Sequence, residues 1–195
     1  MNTVLVTGAN GFTGRHFIEQ AKRQGIQCIA LVRKSGFDLC PSYVCDVQDE
    51  QSLKKVIYDI EFDAVVHLAA VSFVEHSQIA EMYQSNVIGT LNLLSALTEA
   101  KSDIKSILIP STATVYGNPL DMPIDESCPT APVNDYGISK EAMEKAVGLR
   151  MKDLPIQIVR PFNYTGRGQA SHFLVPKIVE AFKQKAPELS LGNLD

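Results

Sequence analysis

Three glycines at three-residue spacing, Gly8, Gly11 and Gly14, separate the apolar run Val4–Thr7 from a helical stretch over Thr13–Gln24. A strand, a glycine-rich turn and a helix at the very start of a chain restrict the folds open to it. Such a turn lets backbone N–H groups approach a ligand closely, and the helix behind it offers unpaired N–H groups and a positive dipole end to an anion. The stretch Gly8, Ala9, Asn10, Gly11, Phe12, Thr13, Gly14 is therefore read as a pyrophosphate-binding turn, in which Gly8, Asn10, Gly11, Phe12, Thr13 and Gly14 face a dinucleotide.

The rest of the chain keeps alternating. Cys28–Val32, Tyr43–Cys45, Ala64–Leu68, Ile104–Ile109 and Ile156–Arg160 are short β-rich runs. Helical spacing fills Ser52–Tyr58, Ile79–Ala100, Asp135–Met151 and a stretch near Phe173–Lys185. Strands alternating with helices predict an α/β fold, a Rossmann-like doubly wound parallel sheet with helices on both faces. Residues 118–133 are rich in proline and read as a loop. Residues 1–160 are expected to form the nucleotide-binding domain, and residues 161–195 the beginning of a truncated C-terminal substrate lobe.

Composition excludes several other roles. With 22 acidic and 18 basic residues the net charge is −4, and no basic stripe invites nucleic acid or an anionic membrane. No apolar run nears the ~18 residues of a membrane span, and the first residues lack a basic-then-apolar leader, so a cytoplasmic protein is expected. The four cysteines and four histidines show no zinc spacing, and no metal is expected.

Arg33 and Lys34 follow the second strand, where an NAD-specific site would place a carboxylate for the adenosine ribose. Two cations there suit a 2′-phosphate and favour NADP(H), with NAD(H) as the alternative; a solvated basic loop is the plainer reading. Downstream, Tyr136 and Lys140 form a YxxxK pair whose i,i+4 spacing puts phenol and ammonium on one helix face. A cation beside a phenol favours the phenolate and readies it for proton exchange with a substrate oxygen. Ser111 and Thr112 end the strand Ile104–Ile109 and its Pro110, at the carboxyl edge where ligands of open parallel sheets gather. A hydroxyl there can hold a reacting oxygen; the alternative is that it merely caps the backbone.

Taken in order, Thr7–Gly14, Asp46-Val47, His67-Leu68-Ala69-Ala70, Ser111–Gly117 and Tyr136–Lys140 resemble the extended short-chain dehydrogenase/reductase family of nucleotide-sugar enzymes, over the whole chain. The resemblance implies that Asp46 and Val47 meet the adenine and that Leu68, Ala69 and Ala70 line the cofactor. Asn86, on the central helix, and Pro161 belong to the same cofactor set. It further implies Thr112 as catalytic hydroxyl, Tyr136 as acid/base and Lys140 as its partner, also reaching the ribose. Ser111, Asn163, Phe173, Val175 and Lys177 would contact substrate. The family's dehydratases carry a carboxylate just after the catalytic threonine; here Ala113-Thr114 stands there, which counts against that branch. Ser111–Gly117 is similar to UDP-galactose 4-epimerases. The stretch from Arg160 to Gln169, Phe73-Val74 and Leu191–Asp195 look more like GDP-6-deoxy-4-keto-mannose reductases, although Arg167 stands where the family typically has proline.

The resulting expectation is NADP-dependent reduction of a nucleotide-linked 4-keto-6-deoxyhexose, with a GDP-sugar as partner and a homodimer formed through Ile79–Ala100 and Asp135–Met151. The alternatives are a nucleotide-sugar 4-epimerase with bound NAD, a 4,6-dehydratase, and a non-catalytic dinucleotide sensor.

Overall fold

The computed structural model describes residues 3–72, 78–100, 103–119, 122–150 and 154–191. In chain order the elements are β1 (Thr3–Thr7), α1 (Phe12–Arg23), β2 (Gln27–Val32), β3 (Ser42–Val44), α2 (Glu50–Asp59) and β4 (Ala64–His67). They continue through α3 (Ile79–Tyr83), a π-helical segment (Gln84–Gly89), α4 (Thr90–Ala100), β5 (Ser106–Pro110), a 3₁₀ turn (Ala113–Tyr116), α5 (Asp135–Gly148), β6 (Ile156–Val159) and α6 (Leu174–Lys183).

All six strands pair in parallel, in the order β3-β2-β1-β4-β5-β6. The chain crosses from one half of the sheet to the other between β3 and β4, so β1 and β4 lie side by side at the point where the order reverses. This is the Rossmann-like doubly wound fold, and its crevice opens at the carboxyl ends of β1 and β4.

Alternation along β1 explains why both faces are covered. Val4 and Val6 pack with Ile18 and Ala21 of α1, Cys28 and Ala30 of β2, and Val66 of β4. Leu5 points to the other face, among Leu53 and Ile57 of α2, Leu93, Leu94 and Leu97 of α4, and Met143 and Val147 of α5. A strand wanted apolar on both faces reads as an unbroken apolar run, as β1 and β4 do.

Most boundaries lie within two residues of those read from the sequence, and the differences have local causes. The helix expected from Ser52 begins at Glu50, because the Asp49 carboxylate caps it by accepting from the Ser52 N–H at 3.1 Å. The helix expected to run unbroken over Ile79–Ala100 is interrupted by the π-helical segment around Asn86. Leu189–Leu191 forms neither strand nor helix. Phe73-Val74 and the residues from Gly192 to Asp195 lie outside the described residues, as does the expected end of α5 at Met151.

Residues 1–162 and 163–195 form two compact units. In the second, α6 buries none of its residues: Leu174 and Val179 are each 59% exposed and Phe182 79%. Among the described residues no helix is long and apolar enough to cross a membrane.

Leu94 lies wholly within the larger core. Leu94→Ala is expected to lower unfolding stability by about 2–5 kcal/mol in a denaturant titration, through lost transfer free energy and the cavity left behind.

Candidate active site

The turn after β1 is shaped by packing as well as by any ligand. Gly8 has φ +67°, and a Cβ there would lie 2.5 Å from the Ala69 nitrogen and from the Leu68 carbonyl. The end of β1 thereby sits directly against the segment leaving β4. A Cβ on Gly14 would come within 2.5 Å of the Gly8 oxygen and 2.7 Å of the Ala9 Cα, so α1 folds back onto its own turn. Gly11 differs. Its φ is −69°, ordinary for any residue, and a Cβ would meet only the Gly8 oxygen, at 3.2 Å. Gly11 is exposed at the N-cap of α1, with no side-chain cap and no acidic residue in the first turn. Folding explains Gly8 and Gly14; at Gly11 the exposed N-terminus of α1 leaves room for an anion. These residues fit a dinucleotide pyrophosphate.

Around that turn Asn10 and Ala70 are exposed, and Phe12, Thr13, Leu68 and Ala69 are half-buried. Arg33 and Lys34 are exposed just past β2, with an Arg33 guanidinium nitrogen 3.8 Å from Glu81. Asp46 accepts from the Gln48 N–H at 3.0 Å, and Val47 is buried.

Behind the turn runs a chain of buried hydrogen bonds that sequence reasoning missed. Thr7 Oγ1 lies 2.7 Å from His67 Nδ1, His67 Nε2 lies 2.9 Å from Thr90 Oγ1, and Thr90 Oγ1 donates to the Asn86 carbonyl at 2.8 Å. The direction of each bond follows. Since Thr90 spends its proton on Asn86, it accepts from His67 Nε2–H; His67 Nδ1 then accepts from the Thr7 hydroxyl, whose oxygen takes the Ala69 N–H at 3.1 Å. His67 is neutral, and this makes Nδ1 the acceptor toward Thr7. Burial, and then the Lys140 charge, hold its pKa down to about 3. The signal was present as polar residues at the ends of apolar runs: Thr7, His67 and Thr90 are all at least 96% buried.

Asn86, expected among the cofactor contacts, makes three hydrogen bonds within the protein. Its Oδ1 accepts from the Val71 N–H at 2.7 Å, and its Nδ2 donates to the Val71 carbonyl at 2.9 Å and to Ser139 Oγ at 3.0 Å. Both amide hydrogens are used, so Asn86 clamps the segment after β4 to α5. The π-helical segment sets it there, a local widening common at functional sites.

α5 carries Tyr136 and Lys140, and it starts where Asn134 caps it through the Gly137 N–H at 2.8 Å. Gly137 packs so tightly that a Cβ would lie 3.0 Å from the Thr114 oxygen, which brings the first turn of α5 against the 3₁₀ turn. There the two hydroxyls divide. Thr112 Oγ1 accepts from the Thr114 N–H at 3.2 Å and pairs with Thr114 Oγ1 at 2.9 Å, so the capping role held as the alternative is real. If Thr114 is the donor in that pair, the Thr112 proton is left for a ligand oxygen. Ser111 Oγ is buried with no hydrogen-bond partner among the described residues, an orphan that an oxygen- or nitrogen-bearing ligand would satisfy.

Lys140 is 5% exposed, and no described residue hydrogen-bonds or ion-pairs with its ammonium. Burial lowers its pKa from 10.5 to about 8, against a smaller upward pull from Glu144. A buried cation with a lowered pKa, at i,i+4 spacing from Tyr136 on one helix face, is a candidate functional group. Pro161 is half-buried, and its carbonyl accepts from the Ala113 N–H at 3.0 Å. Asn163, Phe173, Val175 and Lys177 belong to the second unit and are exposed there; Lys177 Nζ donates to the Ser190 carbonyl.

Sheet, turn and YxxxK helix together define a Rossmann-type domain of the short-chain dehydrogenase kind. The chain belongs to the NAD dependent epimerase/dehydratase family, whose model matches residues 4–195. It is 36% identical to GDP-6-deoxy-D-talose 4-dehydrogenase of Aggregatibacter actinomycetemcomitans, over 98% of this chain and 63% of the relative. It is 38% identical to UDP-glucose 4-epimerase of Halalkalibacterium halodurans, over 84% of this chain and 51% of the relative. The Bordetella bronchiseptica enzyme WbmG, solved in complex with NAD, superposes with a TM-score of 0.80 at 28% identity, covering 94% of this chain and 60% of that one. The chain therefore spans about half to two thirds of the length of these proteins. The curated names are a dehydrogenase and an epimerase, not the reductase to which the sequence looked most similar.

Gly11→Ala should keep unfolding stability within about 1 kcal/mol while weakening dinucleotide binding at least tenfold in calorimetry. Gly14→Ala should cost about 1–3 kcal/mol of stability through overpacking. Lys140→Met should raise stability at pH 7 by up to about 3 kcal/mol, because the fold then buries no unpaired charge. The lysine penalty is complete below about pH 8 and fades as pH rises toward 10.5, so the gain should shrink over that window in pH-dependent denaturant unfolding.

Proposed function

We propose that this chain carries redox chemistry at C4 of a nucleotide-linked sugar, with reduction of a GDP-linked 4-keto-6-deoxyhexose as its reaction. The observation that carries the reading is Lys140, buried without a counterion one turn after Tyr136, with α5 packed on the hydroxyl-bearing turn Ser111–Thr114. The GDP-sugar assignment draws on the dehydrogenase relative, whose reaction, oxidation at C4 of a 6-deoxy sugar, is this reduction reversed.

A dinucleotide held by the Gly11 turn, Leu68–Ala70 and the Asp46–Val47 segment supplies the two-electron chemistry when bound. Reduction of a C4 carbonyl also requires a proton at O4, and Tyr136 donates it from its phenol. The Thr112 hydroxyl holds O4, and Ser111 gains the partner it lacks. Lys140 keeps a positive charge close to the tyrosine and favours the phenolate left after transfer. Asn86 and Ser139 hold the start of α5 in place, since Ser139 Oγ also bonds the Tyr136 carbonyl at 2.8 Å.

NADP(H) is part of the proposal. Arg33 and Lys34 are exposed past β2, and the acid that follows them, Asp38, faces Arg15 at 3.7 Å. So is a homodimer through the α3–α4 and α5 helices, where Ile88 and Ile138 are 40% and 42% exposed. The second reading, a nucleotide-sugar 4-epimerase with tightly held NAD, draws on the UDP-glucose 4-epimerase relative and on the Ala113–Gly117 stretch.

Titration of the chain with NADPH and NADH should show binding with preference for NADPH. With GDP-4-keto-6-deoxymannose added, absorbance of NADPH should fall, and Tyr136→Phe should slow that loss at least about 10²-fold while leaving cofactor affinity unchanged. Sugar interconversion without net cofactor turnover would establish the epimerase instead.

A further inference from the structure

We propose that Arg160 is a positioning residue for the Tyr136–Lys140 pair: by gripping the Glu144 carboxylate with two prongs, it keeps that carboxylate from pairing with Lys140 along the helix. The inference rests on the functional reading above for its purpose, and on geometry for its substance.

Glu144 lies four residues after Lys140 on α5, the spacing at which side chains on one helix face meet. Left alone, a half-buried carboxylate and a buried ammonium at that spacing would find each other. Arg160 intervenes from the end of β6. Its Nε donates to Glu144 Oε1 at 3.0 Å and its Nη2 to Oε2 at 2.6 Å, a fork that uses both carboxylate oxygens. The remaining prong, Nη1, donates to the Tyr116 hydroxyl at 2.9 Å, and the guanidinium stands 4.9 Å from the centre of the Tyr116 ring. The side chains of the pair are only 22% and 10% exposed, so solvent does little to loosen it.

The arginine is itself anchored. Its neighbour Pro161 accepts from Ala113, so the residue that holds Glu144 is tied to the turn bearing Thr112. A lysine in this place could offer one donor at a time and no planar fork.

Other charges near Lys140 are accounted for. On the elements packed against α5, Glu81 pairs with Arg33, Tyr83 hydrogen-bonds Asp135, Glu99 pairs with Lys54, and Tyr116 receives Arg160. From β4 the nearby group is His67, which is neutral. On α5 itself Glu141 takes Lys145 and Thr130. Among the described residues Glu144 is the one carboxylate whose charge raises the Lys140 pKa, so its engagement by Arg160 decides how much lysine charge is left uncompensated.

The test follows the Lys140 ammonium by ¹⁵N NMR during a pH titration of the full 195-residue chain, with Lys140→Arg assigning the resonance. In the parent the midpoint should fall near 8. Arg160→Gln should raise it by about one unit or more, as expected for a carboxylate brought within ~4–6 Å. Adding Glu144→Gln should abolish the rise. Arg160→Lys should give a smaller rise, and it serves as the primary comparison if Arg160→Gln does not fold. An unchanged midpoint in a folded Arg160 variant, or a rise that persists once Glu144 is neutral, would overturn the proposal and leave Arg160 a tether only. No ligand enters the measurement, so absence of dinucleotide binding would count against the functional reading alone.

Discussion

The carboxyl edge of this sheet is held by four buried polar groups. Thr7, His67, Thr90 and the Asn86 carbonyl form one directed chain of hydrogen bonds, with the Ala69 N–H feeding its start. Any break would leave a buried donor or acceptor unpaired, at a cost of about 1–3 kcal/mol. The chain links the ends of β1 and β4 to the central helix, and the Asn86 side chain extends the link to Val71 and Ser139. The turn after β1, the segment leaving β4 and the start of α5 are thereby set against one another without a ligand, which is the preorganisation the proposed chemistry requires.

That rigidity offsets an unfavourable placement nearby. Lys140 is a buried charge, and burial lowers its pKa against a smaller upward pull from Glu144. The neutral His67 adds no second charge, and Arg160 removes the carboxylate best placed to neutralise the ammonium. Proteins tolerate such local losses where chemistry needs them and recover stability elsewhere. Here the recovery lies in the apolar faces of the sheet, where Leu5, Leu93, Leu94, Leu97 and Ile107 are fully enclosed.

Much of the fold is legible in the sequence. Val4–Thr7 followed by glycines at positions 8, 11 and 14 specified strand, turn and helix, because backbone sterics and helix electrostatics leave few other solutions. The alternation of apolar runs foretold the parallel sheet and nearly every element. Features that depend on contacts between distant residues were hidden. A period of 3.6 fits Ile79–Ala100 well, and nothing local announces that the helix widens around Asn86. Which of two adjacent hydroxyls caps the turn is decided by backbone angles, and Thr112 takes that role while Ser111 is left without a partner. Arg160 looked like the last residue of a strand; its importance depends on Glu144 and Tyr116, 16 and 44 positions away.

We propose that the N-terminus of α1 and the segment leaving β4 form one dinucleotide site backed by the His67 chain. Backbone-amide chemical-shift mapping during titration with NADPH tests it most directly. The largest perturbations should fall on Gly8–Gly14 and Leu68–Ala70, with smaller ones reaching Ser111–Thr114 and the start of α5. Saturable binding whose perturbations cluster elsewhere, or no perturbation with either NADPH or NADH, would contradict it.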